Sequence, residues 1–149
     1  MIAVEAGDPF DPQARALLEA SHALMQSLFP AEENYFLSLE ALCADDIHFF
    51  TARRGDVIVG VGAVADHGTY GELKSMFVEK ASRGQGVIDA IMRQIEDHAR
   101  GLGLAMLRLE TGSLLHAAHN VYARHGFTIC GPFGDYQDAE FSIFMEKAL

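Results

Sequence analysis

The chain has 149 residues, half of them hydrophobic, which suits one domain spanning 1–149 with a sizeable core and no need of covalent staples. Its 21 acidic against 11 basic residues give a net charge of -10, which repels a phosphate backbone or an anionic membrane surface. No nucleic-acid or membrane partner is therefore expected, although a helix N-terminus can bind an anionic small molecule against such a field.

Met1 to Phe10 lacks the basic start and apolar run of a signal peptide. No stretch approaches the ~18 apolar residues of a membrane span, so a cytoplasmic protein is expected. Asp11-Pro12 then places an N-cap residue before a proline at the first helical position. Leu17, Ser21, Leu24 and Leu28, flanked by Leu18 and Met25, repeat at helical spacing and predict an amphipathic first helix ending near Pro30. Tyr35, Phe36, Leu39 and Leu42 suggest a short second helix before Asp45-Asp46.

Ile47 to Thr51 and Val57 to Val64 are β-rich runs separated by the turn residues Arg53-Arg54-Gly55-Asp56, the pattern of an antiparallel hairpin. A further strand covers Gly71 to Val78. It is followed by the glycine-containing loop Arg83-Gly84-Gln85-Gly86 and a helix with Val87, Ile91, Ile95 and Ala99 on one apolar stripe. Gly101 and Gly103 close that helix, Ala105 to Leu109 is a strand, and Leu114 to His125 is a helix stopped by Gly126. Phe127 to Cys130 and Phe141 to Met145 read as strands around the turn-rich segment Gly131 to Ala139. Cys43 and Cys130 lie far apart with no CxxC partner, so they are expected as reduced core thiols.

The chemistry centres on the glycine loop. Its small residues let backbone approach a ligand, and the helix that follows offers unpaired N–H groups suited to a pyrophosphate. It lacks the GK[ST] ending of a P-loop and the third glycine of GxGxxG. Taken alone the tetrapeptide could be no more than a tight turn. It gains meaning from Leu73-Lys74-Ser75-Met76-Phe77-Val78 before it and Asn120-x-Tyr122-x-x-x-Gly126-Phe127 after it.

This arrangement resembles the GNAT superfamily of acyl-CoA-dependent N-acetyltransferases. The family's Q/R-x-x-G-x-G/A signature is similar to Arg83 through Ile88, with Ile88 standing where the family has a small residue. The resemblance implies an α/β fold of the α+β kind, a mixed and mostly antiparallel sheet splayed between two strands and flanked by about four helices. It implies acetyl-CoA as co-substrate, with Met76, Phe77 and Val78 pairing the pantetheine arm through their backbone. Arg83, Gly84, Gln85, Gly86 and Val87 would meet the pyrophosphate, while Asn120 and Tyr122 approach the cofactor from the later helix. It also places a backbone amide near Phe77 as an oxyanion donor, provided the strand bulges there.

Acetyl transfer to an amine needs a neutral nucleophile, a donor to the developing oxyanion and a proton for the departing thiolate. Tyr122 is the candidate acid, since an ordinary tyrosine stays protonated at neutral pH, and the resemblance puts a tyrosine with this role at that position. Glu72 and Glu110, at the start and end of neighbouring strands, are the candidate bases, though each alone reads somewhat more readily as a solvated strand end. Lys74, Arg108 and Arg124 are candidates for an acceptor carboxylate or are simply solubilising. His116 and His119 lack the third ligand a metal site needs, so no metal is expected.

The expected reaction moves an acetyl group from acetyl-CoA to the primary amine of a small metabolite or amino-acid-like acceptor. The N-terminal helices and the Gly131 to Ala139 loop frame that acceptor. A polyamine, a peptide amine, a non-catalytic acyl-CoA sensor and a scaffold without cofactor are the alternatives. The apolar faces of the first helix and the last strand are candidate homodimer surfaces.

Overall fold

The computed structural model describes residues 1–149. In chain order the elements are β1 (Ala3–Ala6), α1 (Pro12–Leu28), β2 (Ile47–Arg54), β3 (Val57–Asp66), β4 (Gly71–Val78), α2 (Val87–Gly101), β5 (Met106–Gly112), α3 (His116–Arg124), β6 (Thr128–Cys130) and β7 (Ser142–Ala148). The strands form one sheet in the order β1-β2-β3-β4-β5-β7-β6. Only β4 and β5 pair in parallel; the other pairs are antiparallel. No helix is long and apolar enough to cross a membrane.

Local chemistry explains the elements. Asp11 caps α1 by accepting from the Gln13 and Ala14 backbone N–H groups at 2.9 and 3.5 Å, and Pro12 occupies the first helical position. Ala14, Leu18 and Ser21 turn inward, whereas Leu28, expected on the buried stripe, is exposed. Strand β3 is apolar along nearly its whole length because both faces are covered. One face carries Val59 and Val64 against Ile91, Met92, Ile95 and Ala99 of α2. The other carries Ile58, Val61 and Ala63 against Ala14 and Leu18 of α1. Burying one such aliphatic side chain contributes about 1.5–3 kcal/mol, so α2 is held chiefly by this stripe.

Close approach of α2 requires the glycines of β3. A Cβ on Gly60 would lie 2.8 Å from Val87 Cγ1, and one on Gly62 would lie 2.7 Å from Ile91 Cγ2. Neither distance is compatible with the observed helix position.

Several expectations are corrected. The helix expected from Tyr35 to Leu42 is absent: the segment has no regular structure apart from 3-10 turns at Ala31–Glu33 and Ala41–Cys43, so three α-helices flank the sheet rather than four. Its aromatic residues face a cleft and have no helical stripe to join. The N-terminal strand β1 was not anticipated, because four residues of mostly exposed chain carry little periodic signal. Arg53 and Arg54 belong to β2, and the turn is Gly55-Asp56 alone, with Gly55 at φ 61°. The cysteines are free but not core residues: Cys43 is exposed and Cys130 half-buried.

Candidate functional site

The site begins where the sheet opens. Strands β4 and β5 pair only at Gly71 with Leu107 and Glu72 with Arg108, then separate. Beyond that point β4 bulges: Ala63 faces Lys74 and Val61 faces Phe77, leaving Ser75 and Met76 opposite Gly62. Ser75 is the one non-glycine residue at positive φ, 57°, a conformation costing about 1–3 kcal/mol unless its surroundings impose it. Its Oγ is buried without a hydrogen-bond partner. The side chains that follow split between the two cores, Met76 packing with the α2 cluster and Phe77 with the α1 cluster.

The glycine loop lies just past β4. Gly84 and Gly86 have φ of 75° and 84°, and a Cβ on either would meet nothing within 4 Å. Glycine is therefore required by the backbone conformation, while the space above the loop is open to a ligand. Gly86 is the N-cap of α2 and no side chain caps the helix, which leaves its first N–H groups without intrahelical partners. Asp89 in the first turn would oppose an anion, but Arg124 and His125 hold its Oδ1 at 2.7 and 2.6 Å. Those hydrogen bonds, from His125 foremost and then Arg124, lower the Asp89 pKa. Arg83 folds back, donating Nε to the Val78 carbonyl at 3.0 Å with its guanidinium 5.3 Å from the Phe77 ring centroid. Arg54 reaches the same loop, donating to Gln85 Oε1 and to Ser82 Oγ.

Neither candidate base is a solvated strand end. The Glu72 side chain is 8% exposed. Its carboxylate accepts from Tyr136 Oη and from Lys74 Nζ at 3.3 Å, and His67 Nε2 lies 3.0 Å from its other oxygen. Lys74 also donates to Tyr136 Oη and to the Tyr35 carbonyl, both at 3.0 Å. Glu110 accepts from Ser142 Oγ at 2.9 Å, yet burial raises its pKa, with the Glu72 charge adding to the shift and Lys74 opposing it. The Tyr122 hydroxyl is pushed up to about 12, first by burial and then by the charge of Glu110. Glu72, Glu110 and Tyr122 thus share one electrostatic neighbourhood, assembled from β4, β5 and α3.

Other candidates fare differently. Asn120 is exposed on α3. His116 is exposed, His119 Nε2 lies 2.8 Å from the Gly112 carbonyl, and no group of three metal-ligating side chains occurs. Two of the three cations considered for a carboxylate are committed, whereas Arg108 Nε is buried without a hydrogen-bond partner. Lys74 is committed as above, Arg108 Nε is 3.5 Å from Glu146, and Arg124 binds Asp89.

The main omission of sequence reasoning is an aromatic cleft of about 390 Å³ beside Glu72, walled by Tyr35, Phe36, His67, Tyr70 and Tyr136. Its residues come from three separated loops. The one sequence signal is the Gly131 to Ala139 segment, which supplies Gly134, Asp135 and Tyr136.

Comparison with known proteins places this geometry. The pattern described as Acetyltransferase (GNAT) family matches residues 14–127. A protein of Azospirillum brasilense named IAA acetyltransferase is 41% identical over 95% of this chain and 94% of its own. The Bacillus subtilis protein named uncharacterized N-acetyltransferase YsnE is 36% identical over 84% of this chain and 85% of its own. Among solved structures, a Klebsiella pneumoniae protein described as a candidate acyl-CoA N-acyltransferase superposes with a TM-score of 0.83 at 29% identity, covering 100% of this chain and 98% of that one. The PaiA N-acetyltransferase of Thermoplasma acidophilum, solved with coenzyme A, shares the fold at a TM-score of 0.79 and 16% identity, covering 100% and 99%. A sheet that parts at Glu72, a capless helix behind a glycine loop and relatives alike over nearly their full length lead to one assignment: the chain is an acetyltransferase belonging to the GNAT family.

Proposed function

We propose that the chain, acting as one catalytic domain in the cytoplasm, transfers an acetyl group from acetyl-CoA to the primary amine of a small acceptor by direct attack. What supports this reading is the charge coupling of the buried Tyr122 to Glu110, and of Glu110 to Glu72, beside the point where β4 and β5 separate. The uncapped N-terminus of α2 and the loop Arg83 to Val87 suit the pyrophosphate, and the unpaired edge of β4 at Met76 to Val78 suits the pantetheine arm.

In the proposed reaction the neutral amine nitrogen forms a bond to the acetyl carbonyl carbon. A backbone N–H at the Ser75–Met76 bulge stabilises the oxyanion. As the intermediate collapses the C–S bond breaks, and Tyr122 gives its proton to the departing sulfur. The proton lost by the amine passes to a carboxylate. Glu110 suits that role because its raised pKa moves its proton affinity toward that of the donor, while Glu72 orients the acceptor side through Tyr136 and Lys74.

Thiol release from acetyl-CoA, measured against a panel of primary amines, tests the reading. Turnover that depends on the amine supports it. Binding of acetyl-CoA by calorimetry with no turnover on any amine would instead describe a sensor.

A further inference from the structure

We propose that Arg54, at the end of β2, is a positioning residue for acetyl-CoA: its guanidinium holds Gln85 and so sets the phosphate-binding loop in shape before the cofactor arrives. This rests on the assignment of Arg83 to Val87 to the pyrophosphate and adds to it a residue from a separate part of the chain.

The loop needs an outside hold. Gln85 stands between Gly84 and Gly86, whose φ values of 75° and 84° place the most pliable kind of backbone on either side of it. Ordering such a segment at the moment of binding costs affinity, and a segment ordered beforehand avoids that cost. Of these three residues only Gln85 has a side chain to hold. Both ends of its amide are engaged: Nε2 donates to the Ala81 carbonyl at 3.2 Å, and Oε1 accepts from a terminal nitrogen of Arg54. The first bond stays within the segment itself. The second crosses 31 positions of sequence to the β2–β3 hairpin. The other terminal nitrogen of Arg54 donates to Ser82 Oγ at 3.3 Å, and that hydroxyl donates to Glu79 at 3.1 Å. One planar fork thus grips the segment on both sides of Arg83.

Strand geometry aims the fork. Successive side chains of a strand point to opposite faces, so Arg53 turns to Glu5 of β1, at 2.6 Å, while Arg54 turns to the loop. Charge marks the same place. Of the eleven Lys and Arg residues, seven stand within ion-pair distance of a carboxylate. The other four are Arg54, Lys80, Arg83 and Arg93, and the first three gather at this loop. In a chain of net charge -10, cations left without a carboxylate keep their field for an anion that arrives from solution. The acceptors that hold Arg54 are a neutral amide and a neutral hydroxyl, so its charge is not cancelled by the grip.

A double-mutant cycle tests the strap, with Kd for CoA read by calorimetry. Arg54→Ala and Gln85→Ala should each weaken CoA binding by at least about tenfold. The double variant should bind no worse than the poorer single one, because both changes release the same hold. Arg54→Lys keeps the charge but cannot fork to two acceptors, so it should bind CoA nearly as poorly as Arg54→Ala. KM for acetyl-CoA should rise with Kd, while kcat, KM for the amine and Tm stay as in the wild type, since an exposed bond of this kind adds little to the fold. Unchanged affinity in Arg54→Ala, single losses that multiply in the double variant, or full rescue by Arg54→Lys overturns the proposal. The loop assignment beneath it falls separately, if Gly86→Ala leaves CoA affinity as it was.

Discussion

The Tyr136 hydroxyl donates to the carboxylate of Glu72, joining residues 64 positions apart and fastening the loop before β7 to the start of the opening in the sheet. Lys74 donates to both partners, so three side chains form a closed polar triangle in a largely water-free place. Removing one corner leaves the others short of partners, which costs more than the bond itself contributes. Tyr136→Phe is expected to lower stability by about 1.5–3 kcal/mol. It should also raise KM for the amine while leaving KM for acetyl-CoA unchanged, as denaturant titration and steady-state kinetics will show.

Tyr122→Phe removes the proposed acid without opening a cavity. The expected result is a fall in kcat of about 100-fold or more with little change in acetyl-CoA affinity. Alkaline stability should respond too. The folded-state pKa, about 12, lies above the ordinary value of 10.0, so the neutral hydroxyl favours the fold below pH 10 and that contribution is lost as pH rises toward 12. Phenylalanine cannot ionise, and the variant should lose less stability across that interval. Full turnover in a folded Tyr122→Phe protein would remove the residue from the mechanism.

Glu110 sets activity against stability. Burial raises its pKa, so the folded state prefers the protonated form; its favourable contribution is present below the unfolded pKa and is lost as pH rises through the folded one. At neutral pH the ionised carboxylate is thus a burden on the fold. Glu110→Gln should raise Tm at pH 7 by about 2 °C, while depressing kcat at neutral pH and flattening the acid limb of the rate profile. A wild-type profile in the variant would clear Glu110 of the role of base.

At Gly86 the expected losses are separable. With φ 84° and nothing within 4 Å of an added methyl group, Gly86→Ala strains the backbone but clashes with no protein atom. Stability should fall by about 1–2 kcal/mol. KM for acetyl-CoA should rise well beyond what that loss explains, because the methyl group enters the space assigned to the pyrophosphate. Calorimetry with CoA distinguishes the two effects.

Asp89 ties α2 to the end of α3, and its pKa is lowered by hydrogen bonds from His125 and Arg124. A depressed carboxylate stabilises the fold above its unfolded value of 3.8 and ceases to do so as pH falls through the folded value. Asp89→Asn should therefore be less stable than wild type at pH 7. The gap should shrink below pH 3.8 and vanish once the wild-type carboxyl protonates, as parallel denaturation curves will show.

Much of this was legible in the chain. The strand Gly71–Val78, the loop after it and the stripe Val87, Ile91, Ile95 and Ala99 are local patterns that tertiary packing keeps. Tyr122 and the two glutamates could be named because a motif or a strand end marks them. The burial of Glu72 could not, since its partners His67, Lys74 and Tyr136 lie on separated segments that only the sheet brings together. Tyr35 and Phe36 misled for a related reason. Their spacing with Leu39 and Leu42 imitates a helix, but their apolar surface is used in a cleft, where tertiary contacts decide the backbone. The positive φ of Ser75 has no sequence mark at all, because it arises from two residues of β4 facing one of β3.

The two register pairs that join β4 to β5 have a consequence for how the molecule keeps company. From Leu73 onward β4 offers a run of unsatisfied backbone groups, the kind of edge that elsewhere recruits strands from other chains and seeds aggregates. Here the edge lies inside a wedge whose other side is β5, backed by β7. A flat strand carrying side chains on both faces cannot be laid into that angle. A slender chain with amides and few branches can. The fold thus guards its own adhesive edge by shape, sorting visitors by girth before any side chain reads their chemistry.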